Sequence, residues 1–276
     1  MRSIMPVYMI LSMFTLSSAA SAQESRIIGK SVEGRSIIAK RIGSGPEAVV
    51  LIGGIHGGYE WNTVILSEML YDHFLTNPEL IPENLSLYII EVMNPDGLHR
   101  ITGDKLLRDF DFTNAPTGRG RVNARSVDLN RNWDNNWKAE AYWGRFEVSG
   151  GDKTFSEPET RAVRDFLLEL RPEAVIFYHS AADGIYYGGS RDGNTRGREI
   201  ALAYSQGAGY RVAGGGGASG TRTAPLVNYR VTGAASGYLY RRGINSMVVE
   251  LKNHQDTEFS RNLNGLLYLF NLLRQP

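Results

Sequence analysis

A histidine and a carboxylate stand four residues apart in the segment LIGGIHGGYEWN, at His56 and Glu60. They follow an apolar run and sit in a glycine-rich turn, where backbone can come close to a bound ion. Imidazole and carboxylate are ligands for zinc, and a hydrolytic zinc needs three protein ligands with one position left open. A second imidazole is available at His179, the end of EAVIFYH. The chain has five histidines, so the others can be weighed singly. His73 falls in a helical pattern and reads as a surface or core residue, while His99 and His254 read as solvated loop residues that could line a pocket. Glu250 ends the apolar run MVVEL. A carboxylate inside a strand is costly unless paired, metal-bound or used. Beside zinc it can act as general base toward water; the alternative is a salt bridge to an arginine. Arg121, Asn130 and Arg131 lie in GRVNARSVDLNRNW. Arginine offers a planar fork to carboxylates and stabilises developing oxyanions, whereas Arg119 and Arg125 read as solvated loop charges. Tyr238 and Tyr240 precede Glu250, and one phenol could close over a substrate, with core packing the default for either. Together these groups supply metal ligands, an anion clamp and a general base, the parts of a zinc-dependent hydrolase.

Such groups need elements to hold them. Residues 26–42 carry two β-branched runs around Glu33-Gly34 and predict a hairpin. Residues 48–55 and 85–93 predict buried strands, and apolar positions at helical spacing predict a helix over 62–76. Asn94-Pro95-Asp96-Gly97 reads as a turn. From 98 to about 155 the pattern is irregular, and a stretch this long in a compact domain points to function. Ser156 and Pro158 predict a capped helix start, running to about Leu170. A strand over 173–179, helices over 195–207 and 236–242, a strand over 246–251 and a closing helix over 259–273 complete the pattern. The expected fold is a single α/β domain: a mixed, mostly parallel twisted sheet with helices on both faces. Sites in such sheets gather at the carboxyl ends of strands, where His56, Asn94, His179 and Glu250 all fall.

Composition narrows the class. A net charge of +1 argues against nucleic acid. Arg2, the apolar run Val7–Leu16 and Ala20-Ser21-Ala22 have the form of a secretory signal over 1–22, leaving a domain over 23–276 and a secreted or periplasmic location. The apolar run is shorter than the roughly 20 residues of a spanning helix, and no stable membrane insertion is expected after cleavage. With no cysteine there is no disulfide, no thiolate ligand and no cysteine nucleophile. No G-x-S-x-G elbow is present, Gly29-Lys30-Ser31 lacks the upstream glycine of a P-loop, and the glycines at 214–217 read as a flexible loop.

The motifs, in their order, resemble the carboxypeptidase A-like zinc metallocarboxypeptidases over about residues 26–272. GGIHGGYEWN, NPDG at 94–97, VDLNRNW at 127–133, FSEPET at 155–160, FYHS at 177–180 and VVEL at 248–251 carry the resemblance. It implies one zinc per chain on His56, Glu60 and His179, with Glu250 as general base and proton donor. Arg121 would polarise the scissile carbonyl, Asn130 and Arg131 would bind the substrate's terminal carboxylate, and Tyr240 would cap the S1′ pocket. The family's first motif is HxxE, and here it is HxxxE. The capping tyrosine usually follows Asp-Trp, and here Gly237-Tyr238-Leu239 precede it. The expectation is an exopeptidase that cleaves the C-terminal peptide bond, acting as a monomer on peptides with a free carboxylate. An amidase of murein peptides or N-acyl amino acids would use the same machinery. A non-catalytic peptide-binding module on a decayed peptidase fold is the alternative of another class. Side-chain preference is not legible, although Asp192 is a candidate partner for a basic residue; no proenzyme segment is expected.

Overall fold

The structure, a computed structural model, describes residues 23–105, 107–112, 118–189, 195–213, 229 and 231–274. The expected signal, Asp192 and the 214–217 loop lie outside these residues. In chain order the elements are β1 (Gln23–Lys30), β2 (Ser36–Ile42), β3 (Glu47–Ile52), α1 (Trp61–Thr76), β4 (Leu85–Ile90) and α2 (Pro95–Thr102). The hairpin β5 (Glu140–Trp143) and β6 (Phe146–Ser149) follows, then α3 (Pro158–Leu170), β7 (Ala174–Ser180), β8 (Gly184–Tyr187) and α4 (Thr195–Ala208). The chain closes with β9 (Arg211–Val212), α5 (Ala235–Arg241), β10 (Ser246–Leu251) and α6 (Phe259–Leu273).

One eight-stranded sheet runs β1-β2-β4-β3-β7-β10-β8-β9. Its centre is parallel (β4-β3, β3-β7 and β7-β10), while β1-β2, β2-β4 and β8-β10 are antiparallel. Side chains alternate across a strand with a period of two, and the two cores follow from that alternation. Val49, Leu51, Ile176, Tyr178, Met247 and Val249 pack with α1, α4 and α6 on one face. Val50, Ile52, Val175 and Phe177 pack with α3, α5 and Trp133 on the other. Continuous apolar runs such as AVVLI are what a strand covered on both faces requires. Among the described residues no helix is long and apolar enough to cross a membrane.

The stretch expected to be irregular holds more order than its pattern implies. Asn94-Pro95-Asp96-Gly97 is the start of α2 and not a free turn: the Asn94 side chain accepts a hydrogen bond from Gly97 N at 2.9 Å, with Pro95 in the first turn. Cap and turn use the same residue types, so local composition cannot separate them. The cap of α3 is also displaced. Glu157, with extended backbone, occupies the cap position, and the Ser156 hydroxyl donates to Glu157 Oε1 at 2.8 Å. Strands β8 and β9 were not expected; their short spans carry little periodicity.

Buried Asn123 ties the 118–128 segment to α3. Its Nδ2 donates to Glu157 Oε2 at 2.7 Å and to Glu159 Oε2 at 3.2 Å, and its Oδ1 accepts from Arg125 N and Val127 N. Asn123→Ala leaves two buried carboxylates without this donor and unpins the segment. The expected loss is about 2–3 kcal/mol of unfolding free energy in urea titration; an unchanged midpoint would remove Asn123 as the tie.

Candidate metal centre and substrate cleft

His56 leaves the carboxyl end of β3 in a tight turn. The amides of Tyr59 and Glu60 both point to His56 O, at 3.0 and 3.5 Å, so Glu60 returns beneath His56 and caps α1. Gly57 has φ +41°, and a Cβ there would lie 2.7 Å from Leu98 N and 2.8 Å from Gly97 C. The extra residue of HxxxE is absorbed in this turn. His179 arrives from the carboxyl end of β7, and ligand atoms of His56, Glu60 and His179 all lie within 4.8 Å of one another, all three residues buried.

The geometry fits a cation. His56 Nδ1 is 2.7 Å from Glu60 Oε1. His179 Nδ1 is 3.0 Å from Glu60 Oε2 but out of line, so among the described residues this buried oxygen has no hydrogen-bond donor. Burial alone would raise the Glu60 pKa, but the imidazoles of His56 and His179 outweigh it and hold the carboxyl below its ordinary range. Burial likewise opposes charge on His179, and the Glu60 carboxylate outweighs it and raises the imidazole. Two imidazoles and a carboxylate are a recognised donor set for catalytic zinc, and a cation would compete with the proton this pair retains.

Asp128, in VDLNRNW but given no role from the sequence, joins this group to the arginine. Its Oδ1 lies 3.1 Å from His56 Nε2 and its Oδ2 accepts from Arg121 Nε at 3.0 Å and lies 2.9 Å from Nη2. A carboxylate on the far nitrogen fixes the tautomer that leaves Nδ1 free for a metal. Burial would raise Asp128, but Arg121 and His56 outweigh it and hold the carboxyl well below its usual range. Arg121 itself stays charged because Asp128 and Glu60 outweigh the cost of its burial. Its Nη1 is turned to the cluster, 3.6 Å from Glu60 Oε1.

Asn130 and Arg131 follow on a short 3₁₀ turn. Asn130 Oδ1 accepts from Ala235 N at 3.2 Å, and its Nδ2 is 3.4 Å from His179 Nε2. Arg131 donates through Nε and Nη2 to Tyr142 O, through Nη1 to Asn130 O, and through Nη2 to the Tyr229 hydroxyl at 3.3 Å. A guanidinium has five N–H groups, so among the described residues one Nη1 hydrogen is left for a ligand. Tyr240 lies on α5 with its ring against Gly188 and Gly189, outside the cleft lining, whereas Tyr229 lines the cleft. An isolated tyrosine in a stretch without periodicity gave no signal for Tyr229. His73 packs between Phe74 and Phe259, and half-buried His99 faces Asp104. His254 is nearer: its Nδ1 is 2.8 Å from Ser180 Oγ.

A cleft of about 330 Å³ is lined by the metal-type group, Arg121, Asn130, Arg131 and Glu250. Register explains its floor. His179, Glu250 and Gly184 stand side by side across β7, β10 and β8, and two residues back the row is Phe177, Val248 and Tyr186. A polar row therefore abuts an apolar one. Among the described residues the half-buried Glu250 carboxyl group makes no hydrogen bond, and its desolvated surroundings push it up to about 7, against the pull of His179. The unfolded chain ionises near pH 4.3, so the metal-free fold loses stability as pH rises from there through about 7. Glu250→Gln removes this loss. Metal-free Glu250→Gln should melt above the wild type at pH 8 and with it at pH 4.5, each ~1 kcal/mol moving Tm by roughly 2–4 °C; equal melting at both pH values would contradict the raised value.

Known proteins resemble this chain in sequence and in fold. The zinc carboxypeptidase family pattern matches residues 15–269. A zinc carboxypeptidase from Simulium vittatum is 33% identical over 163 residues, covering 55% of this chain and 52% of that protein. The chain thus spans about half the length of this relative. Bovine thrombin-activatable fibrinolysis inhibitor superposes with a TM-score of 0.67 at 21% identity, covering 91% of this chain and 88% of that one. Murein-tripeptide amidase from Escherichia coli O157 superposes with a TM-score of 0.61 at 21% identity and 94% coverage of both chains. At these identities the two structures establish the shared fold. With the family match over most of its length, the chain belongs to the zinc carboxypeptidase family.

Proposed function

We propose that the protein is a zinc-dependent exopeptidase that removes the C-terminal residue of peptides. The observation that carries this reading is the convergence of the His56–Glu60–His179 group, Glu250 and the Asn130–Arg131 pair on one cleft. One zinc on His56, Glu60 and His179 would polarise the scissile carbonyl and lower the pKa of water. Glu250 accepts the proton of the attacking water and returns it to the leaving amine. Arg121, held by Asp128 with Nη1 facing the cluster, stabilises the developing oxyanion. Asn130 and the remaining Arg131 donor take the terminal carboxylate, which makes the enzyme measure substrate from its free end. Tyr229, whose hydroxyl is 3.3 Å from Arg131, takes the capping place expected of Tyr240. All these groups come from one chain, so the reading needs only a monomer. The pattern of residues 1–22 supports export.

A zinc amidase of murein peptides is the second reading, favoured by the murein-tripeptide amidase that matches this fold over 94% of both chains. The non-catalytic alternative is opposed by Glu250 in the cleft beside the His56–Glu60–His179 group. Incubation of a mixed peptide pool with zinc-loaded protein, followed by mass spectrometry, should show loss of single C-terminal residues. C-terminal amidation should abolish that loss. Cleavage of muropeptides alone would replace the exopeptidase with the amidase. Glu250→Gln should retain zinc yet lose nearly all turnover, and substantial residual turnover would remove it from the general-base role.

Asp128→Asn tests the metal assignment without assaying activity. The uncharged amide is a poorer partner for His56 Nε2–H, so zinc affinity should fall about 10–100-fold in chelator competition. Undiminished affinity would separate Asp128, and its orientation of His56, from the metal.

A further inference from the structure

Beside the cleft, the β5–β6 hairpin forms a two-stranded sheet of its own. It turns aromatic side chains outward, with Tyr142 50% and Phe146 53% exposed. Between them Trp143 lines the cleft. Its ring lies 5.0 Å from that of Tyr59, which in turn lies 4.6 Å from the ring of His254. The three half-buried rings come from separate segments: the turn after β3, the hairpin, and the loop after β10. They belong to neither hydrophobic core. The Trp143 ring also covers the Arg121 guanidinium, 4.5 Å from its centroid. That arginine is already paired with Asp128.

The direction of a bound substrate follows from the site. With the terminal carboxylate at Asn130 and Arg131 and the scissile bond between Arg121 and Glu250, the rest of the peptide leaves past Arg121, where these rings stand. Ser180, bonded to His254, leads into Ala181 and Ala182, two small residues that line the cleft.

We infer that Tyr59, Trp143 and His254 form a subsite for an aromatic side chain on the penultimate residue of the substrate. The inference rests on the exopeptidase reading. Aromatic rings favour edge-to-face and offset contacts at these spacings, and a bound ring would add apolar burial that glycine cannot. A carboxylate side chain would be desolvated there, with Arg121 already paired.

The test compares kcat/KM for N-acyl dipeptides that share a C-terminal leucine and carry Phe, Gly or Asp before it. Phe should exceed Gly by about tenfold or more. Trp143→Ala should bring the Phe-to-Gly ratio within about threefold, and Trp143→Phe should restore most of it. Because Trp143 also covers Arg121, all rates will fall in the alanine variant, so the ratio is the readout. His254→Ala should narrow the ratio too. The same peptides are titrated into zinc-loaded Glu250→Gln protein, which reads binding without turnover. Turnover with equal Phe and Gly constants overturns the subsite and leaves the exopeptidase reading intact. No turnover with a Phe-over-Gly binding preference overturns that reading and keeps the subsite; neither turnover nor preference removes both. Tighter binding of a disaccharide-bearing peptide than of the bare peptide would assign the rings to a glycan and overturn the proposal.

Discussion

Asp128 is the contact on which the cleft depends. One buried carboxylate holds His56 with one oxygen and Arg121 with the other. A charge with no exposed surface is tolerable only when its partners satisfy it. Asp128 meets that condition by drawing the 118–128 segment against the turn after β3. The same contact sets the rotation of the His56 ring and the direction of the Arg121 guanidinium. Asn123, bonded to two carboxylates of α3, holds the other side of that segment. Two irregular stretches are thereby tied to each other and to α3.

The sheet supplies the second constraint. Because side chains alternate, only one face of β7 and β10 can present chemistry at the carboxyl ends. His179 and Glu250 fall on that face, in register, while Tyr178 and Val249 between them and their neighbours face the opposite core. Glu250 is surrounded by apolar strand residues and a charged cluster, which is why its carboxyl is raised while Glu60, between two imidazoles, is lowered. Two glutamates in one site thus differ by environment alone. The polar row ends at Gly184, and the apolar row beneath gives the cleft a floor of Val248 and Tyr186.

Much of the scaffold was legible from the chain. Strands covered on both faces read as unbroken apolar runs, and long amphipathic helices such as α6 have a periodicity that nothing else mimics. The turn at 94–97 was harder, because asparagine, proline and glycine serve a free turn and a helix start equally well. Strands β8 and β9 were too short to show a period, and the β5–β6 hairpin lies in a stretch rich in polar residues. The pocket tyrosine shows the same limit. The resemblance points to Tyr240 for the capping place, but α5 carries its ring against Gly188 and Gly189, while Tyr229 reaches Arg131.

The sequence by itself determined the class of fold, the inventory of imidazoles, carboxylates and arginines, and their attachment to strand ends, because hydrophobic period and residue chemistry are local properties. It also excluded thiolate ligands and disulfides outright. The tertiary structure decided which of those groups meet. Whether HxxxE brings Glu60 under His56 depends on a glycine turn that fits only against the backbone of α2. Asp128 became the hinge of the site, and Trp143 came to stand over Arg121, through contacts between segments far apart in the chain. Distances of that kind are set by packing, and packing is not written in any local stretch of residues.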